Sequence, residues 1–430
     1  MRIVQGALRV AFFLLIGKFA GALKEMAIAN RYGVSDVVDA YQFTMTMASW
    51  LPMTMVGAFS IVLIPVLVKL KHLGEAEKKI FTAELQAWVL TLGAGIAVLT
   101  WFFWPQIVQL TAGQLSQSAR DFSQLLIWAF APGVLLILLI GVSTSRLRAK
   151  ERHINTLLDS LPALFILLWI FLSPDDVSVW PLLLGTLVGY IVQSLILWFL
   201  AERADGHGFI WPRWRFSSDQ WHLLLSSAGI MLIGQIAMSF VGPLDQMVAA
   251  RLGDNANATM GYATRLLSLI LGLGAASVGR AALPVLADVH SRGDAEQAKQ
   301  MALKWSVAML GLGALAVLIM WFIAPYMVKI LFEHGAFTSE NTQRVTEVLR
   351  YGLVQLPFYF GVLILVQLLA SQHRYRVMAI IAIANFLIKA LMNYLLAPSY
   401  GVNGIMLATG MMYLLSFVCY FVVAWRLPKS

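Results

Sequence analysis

The stretch Ile64–Gly95, IPVLVKLKHLGEAEKKIFTAELQAWVLTLGAG, decides the fold because it recurs as Leu283–Ala314, LPVLADVHSRGDAEQAKQMALKWSVAMLGLGA. Each copy ends an apolar helix near a proline, makes a short polar turn and begins the next apolar helix. Both copies run from the second to the third span of a six-span unit. Because six is even, we predict two lobes of the same orientation, 1–214 and 215–430, related by an axis along the membrane normal.

The composition places the chain in the membrane. About 60% of its 430 residues are hydrophobic and 12% are charged. Apolar stretches long enough to cross a bilayer recur along the whole chain, with no polar segment long enough to bury a core of its own. We predict an all-α polytopic protein with twelve transmembrane helices, at roughly 7–30, 38–68, 82–105, 121–145, 156–173, 180–201, 221–249, 257–287, 303–326, 345–370, 377–397 and 402–425.

The basic residues predict the orientation. The even-numbered connections carry most of them, such as Lys69, Lys71, Lys78 and Lys79 in the second and Arg146, Arg148, Lys150 and Arg152 in the fourth. By the positive-inside rule both termini are therefore cytoplasmic. The same distribution explains the net charge of +9 without nucleic acid, since the basic residues are divided among five short loops instead of forming one face.

The sequence offers no pattern typical of an enzyme. The lone Cys419 excludes a disulfide framework and a thiolate metal site. No histidine pair has metal-ligand spacing, no glycine-rich phosphate loop is present, and the acidic clusters SPDD and GDNAN are typical of turns. We therefore expect no catalytic residue, no metal and no cofactor.

Charged residues inside the first predicted span are the strongest functional signal. In GKFAGALKEMAIANRYGVSDVVDAYQ, Gly17–Gln42, a helix places Lys18 and Glu25 within about 20° of each other and Lys24 about 100° from Glu25. The three side chains form one polar stripe, bordered by glycines that allow a close approach.

Four more charges lie in or beside predicted spans. Asp39 begins the second span, Asp245 ends the seventh, Arg265 lies about two turns into the eighth, and Lys389 lies inside ANFLIKALMN. An unpaired charge at the bilayer centre costs about 2.5–3.5 kcal/mol. We expect Lys18, Lys24 and Arg265 to bind an anionic group in a hydrated cavity, while Glu25, Asp39, Asp245 and Lys389 line it or couple an ion. The alternative is a set of salt bridges that fix lobe packing, or snorkelling to the surface.

Four blocks of the sequence resemble one family. Besides Gly17–Gln42 they are GAFSIVLIPVL, MGYATRLLSLILGLGAASVGRAALPVLADVHSRGD and LFEHGAFTSENTQRVTEVL. In this order they resemble the MurJ/MviN family of lipid-linked oligosaccharide flippases, within the multidrug/oligosaccharidyl-lipid/polysaccharide exporter superfamily. The resemblance implies export of an undecaprenyl-diphosphate-linked saccharide. It also implies that the family's basic residues of the first helix fall on Lys18 and Lys24, its aspartate on Asp39 and the arginine of its YA-x-RL motif on Arg265.

The sequence departs from the family pattern at several points. Lysines stand at 18 and 24 where arginine is usual, Pro52 and Met53 stand where basic residues are usual, and Ser268 replaces a glutamate. Many members also continue with two further helices, whereas this chain ends at Ser430. Lysine keeps a point charge but loses bidentate phosphate binding. We therefore expect the transported lipid to carry an exopolysaccharide or other surface-glycan unit, in preference to the main peptidoglycan precursor.

The expected function is flipping of this lipid by alternating access in the bacterial cytoplasmic (inner) membrane. Its partners would be the lipid-linked saccharide and the bilayer, and an association with glycosyltransferases or a polymerase of a glycan pathway is compatible with this role. No nucleotide-binding motif is present, so an ion gradient, the membrane potential or downstream consumption of product must drive transport. The alternatives are an ion-coupled drug or cation antiporter of the same superfamily and a non-transporting scaffold of a glycan-assembly complex.

Overall fold

The protein is described by a computed structural model that covers residues 2–152, 154–174, 178–206, 210–222, 224–225, 235–236, 238–272, 295–372 and 374–426. Across these ranges the regular structure is helical, without strands. The chain divides into two compact units, Met1–Ser239 and Phe240–Ser430. The predicted lobe boundary at 214/215 stays a prediction.

Seven helices of unit 1 are numbered in chain order, and residues 220–222, 224–225, 235–236 and 238–239 of the same unit are also helical. The numbered helices are α1 (Arg2–Tyr32), α2 (Asp36–Leu73), α3 (Glu75–Thr111), α4 (Gln117–Arg148), the single turn α5 (Asn155–Leu158), α6 (Leu161–Leu172) and α7 (Trp180–Asp205). The Ser116 hydroxyl accepts a hydrogen bond from the Ala119 amide at 3.0 Å and so caps α4. Gly206, at φ 75°, ends α7 in a left-handed conformation that glycine adopts without a Cβ clash.

The described helices of unit 2 are α8 (Val241–Leu252), α9 (residues 256–272), α10 (Ala295–Phe332), α11 (Ser339–Leu353), α12 (Leu356–Ser371), α13 (Tyr375–Tyr400) and α14 (Val402–Trp425). The Thr338 hydroxyl caps α11 by accepting from the Asn341 amide at 3.3 Å. This cap has the same place in unit 2 that the Ser116 cap has in unit 1, after the long helix that follows the repeated turn.

The two units repeat one packing scheme. In unit 1, α4 packs against both α3 and α7, and α6 packs against α7. In unit 2, α12 packs against both α10 and α14, and α13 packs against α14. The long helices α3 and α10 have 37 and 38 residues, and each carries a proline near its end, Pro105 and Pro325. These matches follow the order of the sequence repeat, although the second copy of the repeated turn lies outside the described residues.

Contacts between helix termini show that the connections of unit 1 form two groups, one at each end of the helix bundle. At one end Arg31 donates to the Ile170 carbonyl at 2.8 Å, and Ser118 donates to the Asp36 carboxylate. At the other end, which we call the basic end (residues 69–79, 146–152 and 202–206), Lys78 and Arg146 meet Asp205. The alternation agrees with the order of the predicted spans, and which end is cytoplasmic stays a prediction.

Eight described helical segments are long and apolar enough to cross a membrane, and a ninth candidate is the pair α11 and α12. Twelve spans therefore stay a prediction. The expected span 345–370 also stays a prediction, because α11 and α12, which would form it, are bent by 40° at a break. Pro357 explains the break, since its nitrogen carries no hydrogen to donate to the preceding turn. The expected spans 221–249 and 257–287 lie partly outside the described residues.

Candidate substrate site

Lys24 and Glu25 form an ion pair inside unit 1. The Lys24 ammonium lies 2.7 Å from Glu25 Oε1, and the two side chains are only 9% and 7% exposed. The ammonium also lies 5.8 Å from the centre of the Tyr41 ring on α2. An aromatic face and a carboxylate together stabilise the ammonium away from water. Lys24 therefore lies next to a carboxylate with which an anionic ligand would compete.

The part of α1 that carries Lys18 is less enclosed than the part that carries Lys24. Lys18 is exposed, and the adjacent Gly17 lies against Thr156 and Ser160 of the α5 region. At Gly21, no heavy atom of the described residues lies within 4 Å of the place that a Cβ would occupy. Gly21 lies between Lys18 and Lys24 in the helix, so the described parts of other helices leave this side of α1 open between the two cations. Asp39, in the first turn of α2, is 2% exposed.

Arg265 belongs to a helix face that is anchored by aromatic packing. Tyr262 is fully buried, with its ring centre 5.1 Å from that of Phe332 and 5.2 Å from that of Phe337. Leu266 is one turn further on the same face and is 2% exposed. Arg265 itself is partly exposed, and Ser268 donates to its backbone carbonyl at 2.8 Å. The tyrosine and leucine of the YA-x-RL motif thus fix the helix while the arginine side chain stays accessible.

Asp245 and Lys389 form a second buried ion pair, in unit 2. Lys389 is 0% exposed, and its ammonium lies 2.9 Å from Asp245 Oδ1. The same ammonium donates to the Ile405 carbonyl at 2.8 Å and to the Thr409 hydroxyl at 2.7 Å. Asn393 donates to Asp245 Oδ1 at 2.8 Å. All three protons of the lysine therefore have oxygen partners.

The structure brings the predicted residues together as two intramolecular pairs, Lys24 with Glu25 and Asp245 with Lys389. The partners that sequence reasoning missed are Asn393 and Thr409. A signal for Asn393 was present, because it lies four residues after Lys389 and so on the same face of a helix. No sequence signal pointed to the Ile405 carbonyl, since any residue supplies one.

A third charged cluster lies at the basic end of unit 1. Arg146 is 3% exposed and donates to Asp205 Oδ2 at 2.8 Å and to Glu202 Oε1 at 2.9 Å. Lys150 lies 3.0 Å from Asp205 Oδ1. Burial lowers the pKa of the Lys150 ammonium, the charge of Lys78 adds to this, and the Asp205 carboxylate opposes it. The sequence analysis used these cations only to predict the orientation in the membrane, whereas the structure shows that they join α3, α4 and α7.

Within the described ranges no group of three or more histidine, cysteine, aspartate or glutamate side chains could hold a metal ion. Several buried charges instead form ion pairs within their own unit, such as Lys24 with Glu25 in unit 1 and Lys389 with Asp245 in unit 2.

Comparison with known proteins decides the family. The family described as "Lipid II flippase MurJ" matches residues 28–429. The chain belongs to this family. Its members are transporters and not enzymes, and the apolar helices make the chain a multi-pass bacterial membrane protein. The resemblance drawn from the four sequence blocks is thereby confirmed.

Named relatives cover most of the chain. The lipid II flippase MurJ of Burkholderia cenocepacia is 24% identical over 95% of this chain and 81% of its own length. The probable lipid II flippase MurJ of a Synechocystis species is 26% identical over 93% and 77%. Both support the family assignment along nearly the whole sequence.

Solved structures support the fold. The structure titled "Lipid II flippase MurJ, inward closed conformation" matches with a TM-score of 0.82 and 20% identity, over 98% of this chain and 88% of that one. An inward-facing multidrug resistance MATE family transporter of the MOP superfamily matches with a TM-score of 0.71 and 14% identity, over 96% and 94%. The chain thus has the fold that MurJ and MATE transporters share.

Proposed function

We propose that this flippase moves a lipid-linked saccharide with an undecaprenyl-diphosphate carrier from the inner to the outer leaflet of the cytoplasmic membrane by alternating access. The observation that carries the proposal is the buried Lys24–Glu25 pair beside an open stretch of α1. An ammonium that is already largely withdrawn from water needs little further desolvation when a diphosphate oxygen replaces the Glu25 carboxylate. Family membership supplies the substrate class, a lipid-linked saccharide.

The proposed roles of the residues follow from their surroundings. Lys18 is exposed and would meet the headgroup first, while Lys24 would exchange Glu25 for a phosphate oxygen. Arg265, whose side chain is partly exposed, would supply the bidentate contact that lysine does not make. Asp39 and the Asp245–Lys389 pair would line the transport path or couple an ion.

Two saccharides compete as the cargo. The names of the relatives point to lipid II, the peptidoglycan precursor. The lysines at 18 and 24 and the serine at 268 favour a different headgroup, such as an exopolysaccharide unit, because they alter the phosphate contacts that the family pattern implies. Transport of each purified lipid in vesicles, with the other as competitor, distinguishes them.

Flipping is tested in cells that are depleted of the protein and then express one of its variants. The amount of lipid-linked saccharide on each membrane leaflet, its sidedness, is measured. Loss of one charge-assisted contact of about 1.5–3 kcal/mol predicts about 10- to 100-fold less outer-leaflet product for Lys24→Gln and for Arg265→Gln. Lys24→Arg keeps the charge and should retain transport.

The matched control is Lys329→Gln, which removes a cation from an exposed position near the end of α10 where its ion pair with Glu333 is 3.9 Å long. It should leave sidedness unchanged at equal protein levels. Unchanged sidedness in Lys24→Gln and Arg265→Gln would contradict the flippase proposal and favour a non-transporting scaffold.

A further inference from the structure

We propose that unit 1 carries a binding site for an anionic phospholipid next to its basic end, but formed by other residues. The site consists of an apolar cavity between α2, α3 and α4 and of the segment 210–221, which we call the strap. One acyl chain would enter the cavity while the phosphate meets Arg213 and Arg215 of the strap. This site is separate from the charged residues of α1 and does not depend on the identity of the transported saccharide.

The cavity has a volume of about 220 Å³, and apolar atoms form its wall. Its lining includes Phe59 and Leu63 of α2, Trp88 of α3, Leu138 of α4, and Trp221 and Leu225. The hydroxyls of Ser60 and Ser145 also lie there, but they bond to each other at 3.1 Å. An apolar cavity of this size excludes water and accepts hydrocarbon.

A buried carboxylate of α3 anchors the strap through hydrogen bonds. Glu84 is 1% exposed and accepts hydrogen bonds from the Ser217 amide at 2.8 Å and from the Trp221 indole at 2.7 Å. Trp88 donates to the Arg215 carbonyl at 3.1 Å, and its ring stacks on Phe216 with centres 4.5 Å apart. The cavity is therefore closed on one side by a segment held in place by specific bonds.

The outer face of the strap has the chemistry of a membrane interface. Trp211, Trp214 and Phe216 are 76%, 60% and 57% exposed, and Arg213 and Arg215 between them are exposed as well. Tryptophans concentrate at the level of lipid headgroups, and arginines there attract anionic lipids. The indole of Trp214 is oriented by its hydrogen bond to Thr91 at 2.8 Å, so the aromatic side chains have a defined place on α3.

Charge complementarity and the cavity together select the ligand. Phe216 lines the cavity and directly follows Arg215, so a cation and the apolar chamber are one residue apart. A soluble phosphate compound has no chain to fill the cavity, and a free saccharide would need polar groups, whereas the described lining offers only two serine hydroxyls that bond to each other. An amphiphile with a phosphate and a hydrocarbon chain satisfies both parts. At the predicted cytoplasmic side, an anionic phospholipid of the inner leaflet has this chemistry.

The test measures retention of added phosphatidylglycerol by the purified full chain in detergent, using native mass spectrometry, together with the melting temperature. Two arginines near an anionic lipid contribute about 30-fold in affinity. We therefore expect the double variant Arg213→Gln/Arg215→Gln to bind phosphatidylglycerol about 30-fold more weakly. Arg203→Gln, an exposed arginine at the end of α7, is the matched control and should bind normally.

A second variant addresses the cavity. Leu225→Trp adds bulk to a half-exposed lining residue and should reduce lipid retention while the melting temperature without lipid stays unchanged. Glycerol phosphate, which has no acyl chains, should give no thermal shift, and phosphatidylcholine should be retained less than phosphatidylglycerol. Equal retention by the double arginine variant and the Arg203→Gln control would overturn the proposal. Displacement of phosphatidylglycerol by stoichiometric undecaprenyl diphosphate would also overturn it, because the site would then belong to the carrier lipid.

Discussion

At the scale of single residues, two deeply buried lysines, Lys24 and Lys389, are each paired with a carboxylate. Lys389 is fully enclosed, yet its ammonium meets a carboxylate, a carbonyl and a hydroxyl. Removing one member of a buried pair leaves the other charge without compensation, which costs about 3–5 kcal/mol, whereas replacing both members is often neutral.

This asymmetry predicts the stability of variants at the second pair. Asp245→Asn leaves the enclosed lysine with neutral acceptors only and should destabilise unit 2 by about 3–5 kcal/mol. Lys389→Met should cost less, because the Asp245 side chain is 19% exposed and keeps its bond from Asn393. The double variant Asp245→Leu/Lys389→Met should recover most of the loss. Thermal unfolding in detergent measures all three, and additive losses in the double variant would show that the pair is not the cause.

The sequence predicted which residues carry unusual charge but not which of them pair. Lys389 and Asp245 each stood out as a charge beside apolar residues, which is a local property. Their contact joins helices 144 residues apart, and it depends on the packing of α8 against α13, which local patterns do not encode. Lys24 and Glu25 are adjacent, so their pairing was within reach of sequence reasoning. Arg146 was interpreted only as a topology signal because its burial depends on three helices.

At the scale of helices, two glycines allow the backbones of α6 and α7 to lie in direct contact. Gly185 and Gly189 on α7 form a G-x-x-x-G pattern, and a Cβ at either position would lie 2.5 Å from the Cα of Ile166 or Pro162 on α6. Real side chains do not approach this closely, so the two backbones touch only because both positions are glycine.

An alanine at Gly185 should therefore push α6 and α7 apart and destabilise unit 1 by about 1–3 kcal/mol. Gly95 on α3 is the matched control, because no described atom lies within 4 Å of its Cβ position. Gly95→Ala should change stability by less than about 1 kcal/mol. Proteolysis during thermal unfolding in detergent compares the two, and equal stability would indicate that α6 moves aside without penalty.

The positions of the helices were the easiest feature to predict, because a span needs only length and apolar composition. The breaks within spans were harder to predict. Pro357 lies at the break between α11 and α12, but many prolines lie inside described helices of this chain without breaking them, such as Pro52 and Pro132. Whether a proline breaks a helix depends on the neighbours that satisfy the freed carbonyl.

At the scale of the whole molecule, the orientation rests on the distribution of basic residues. The structure groups the connections of unit 1 at two ends, and the basic end holds Lys78, Arg146 and Lys150. The positive-inside rule then predicts that this end faces the cytoplasm.

Cysteine labelling tests this orientation, because replacing Cys419 with serine removes the only cysteine of the chain. In that background we expect Ser116→Cys to react with an impermeant maleimide from outside the cytoplasmic membrane. Arg152→Cys should react only after the membrane is opened. Both positions are exposed, so a difference reports sidedness and not burial. The reverse pattern would invert the predicted topology of unit 1.

The two buried pairs have an electrical consequence. Moving one elementary charge through the membrane potential involves about 2.3 kcal/mol per 100 mV. Lys24 with Glu25, and Lys389 with Asp245, are each a cation and an anion within 3 Å, so a helix that carries such a pair through the field does almost no electrical work. As long as these pairs stay closed, the voltage dependence of transport must come from charges outside them, such as Lys18, and from the charge of the cargo.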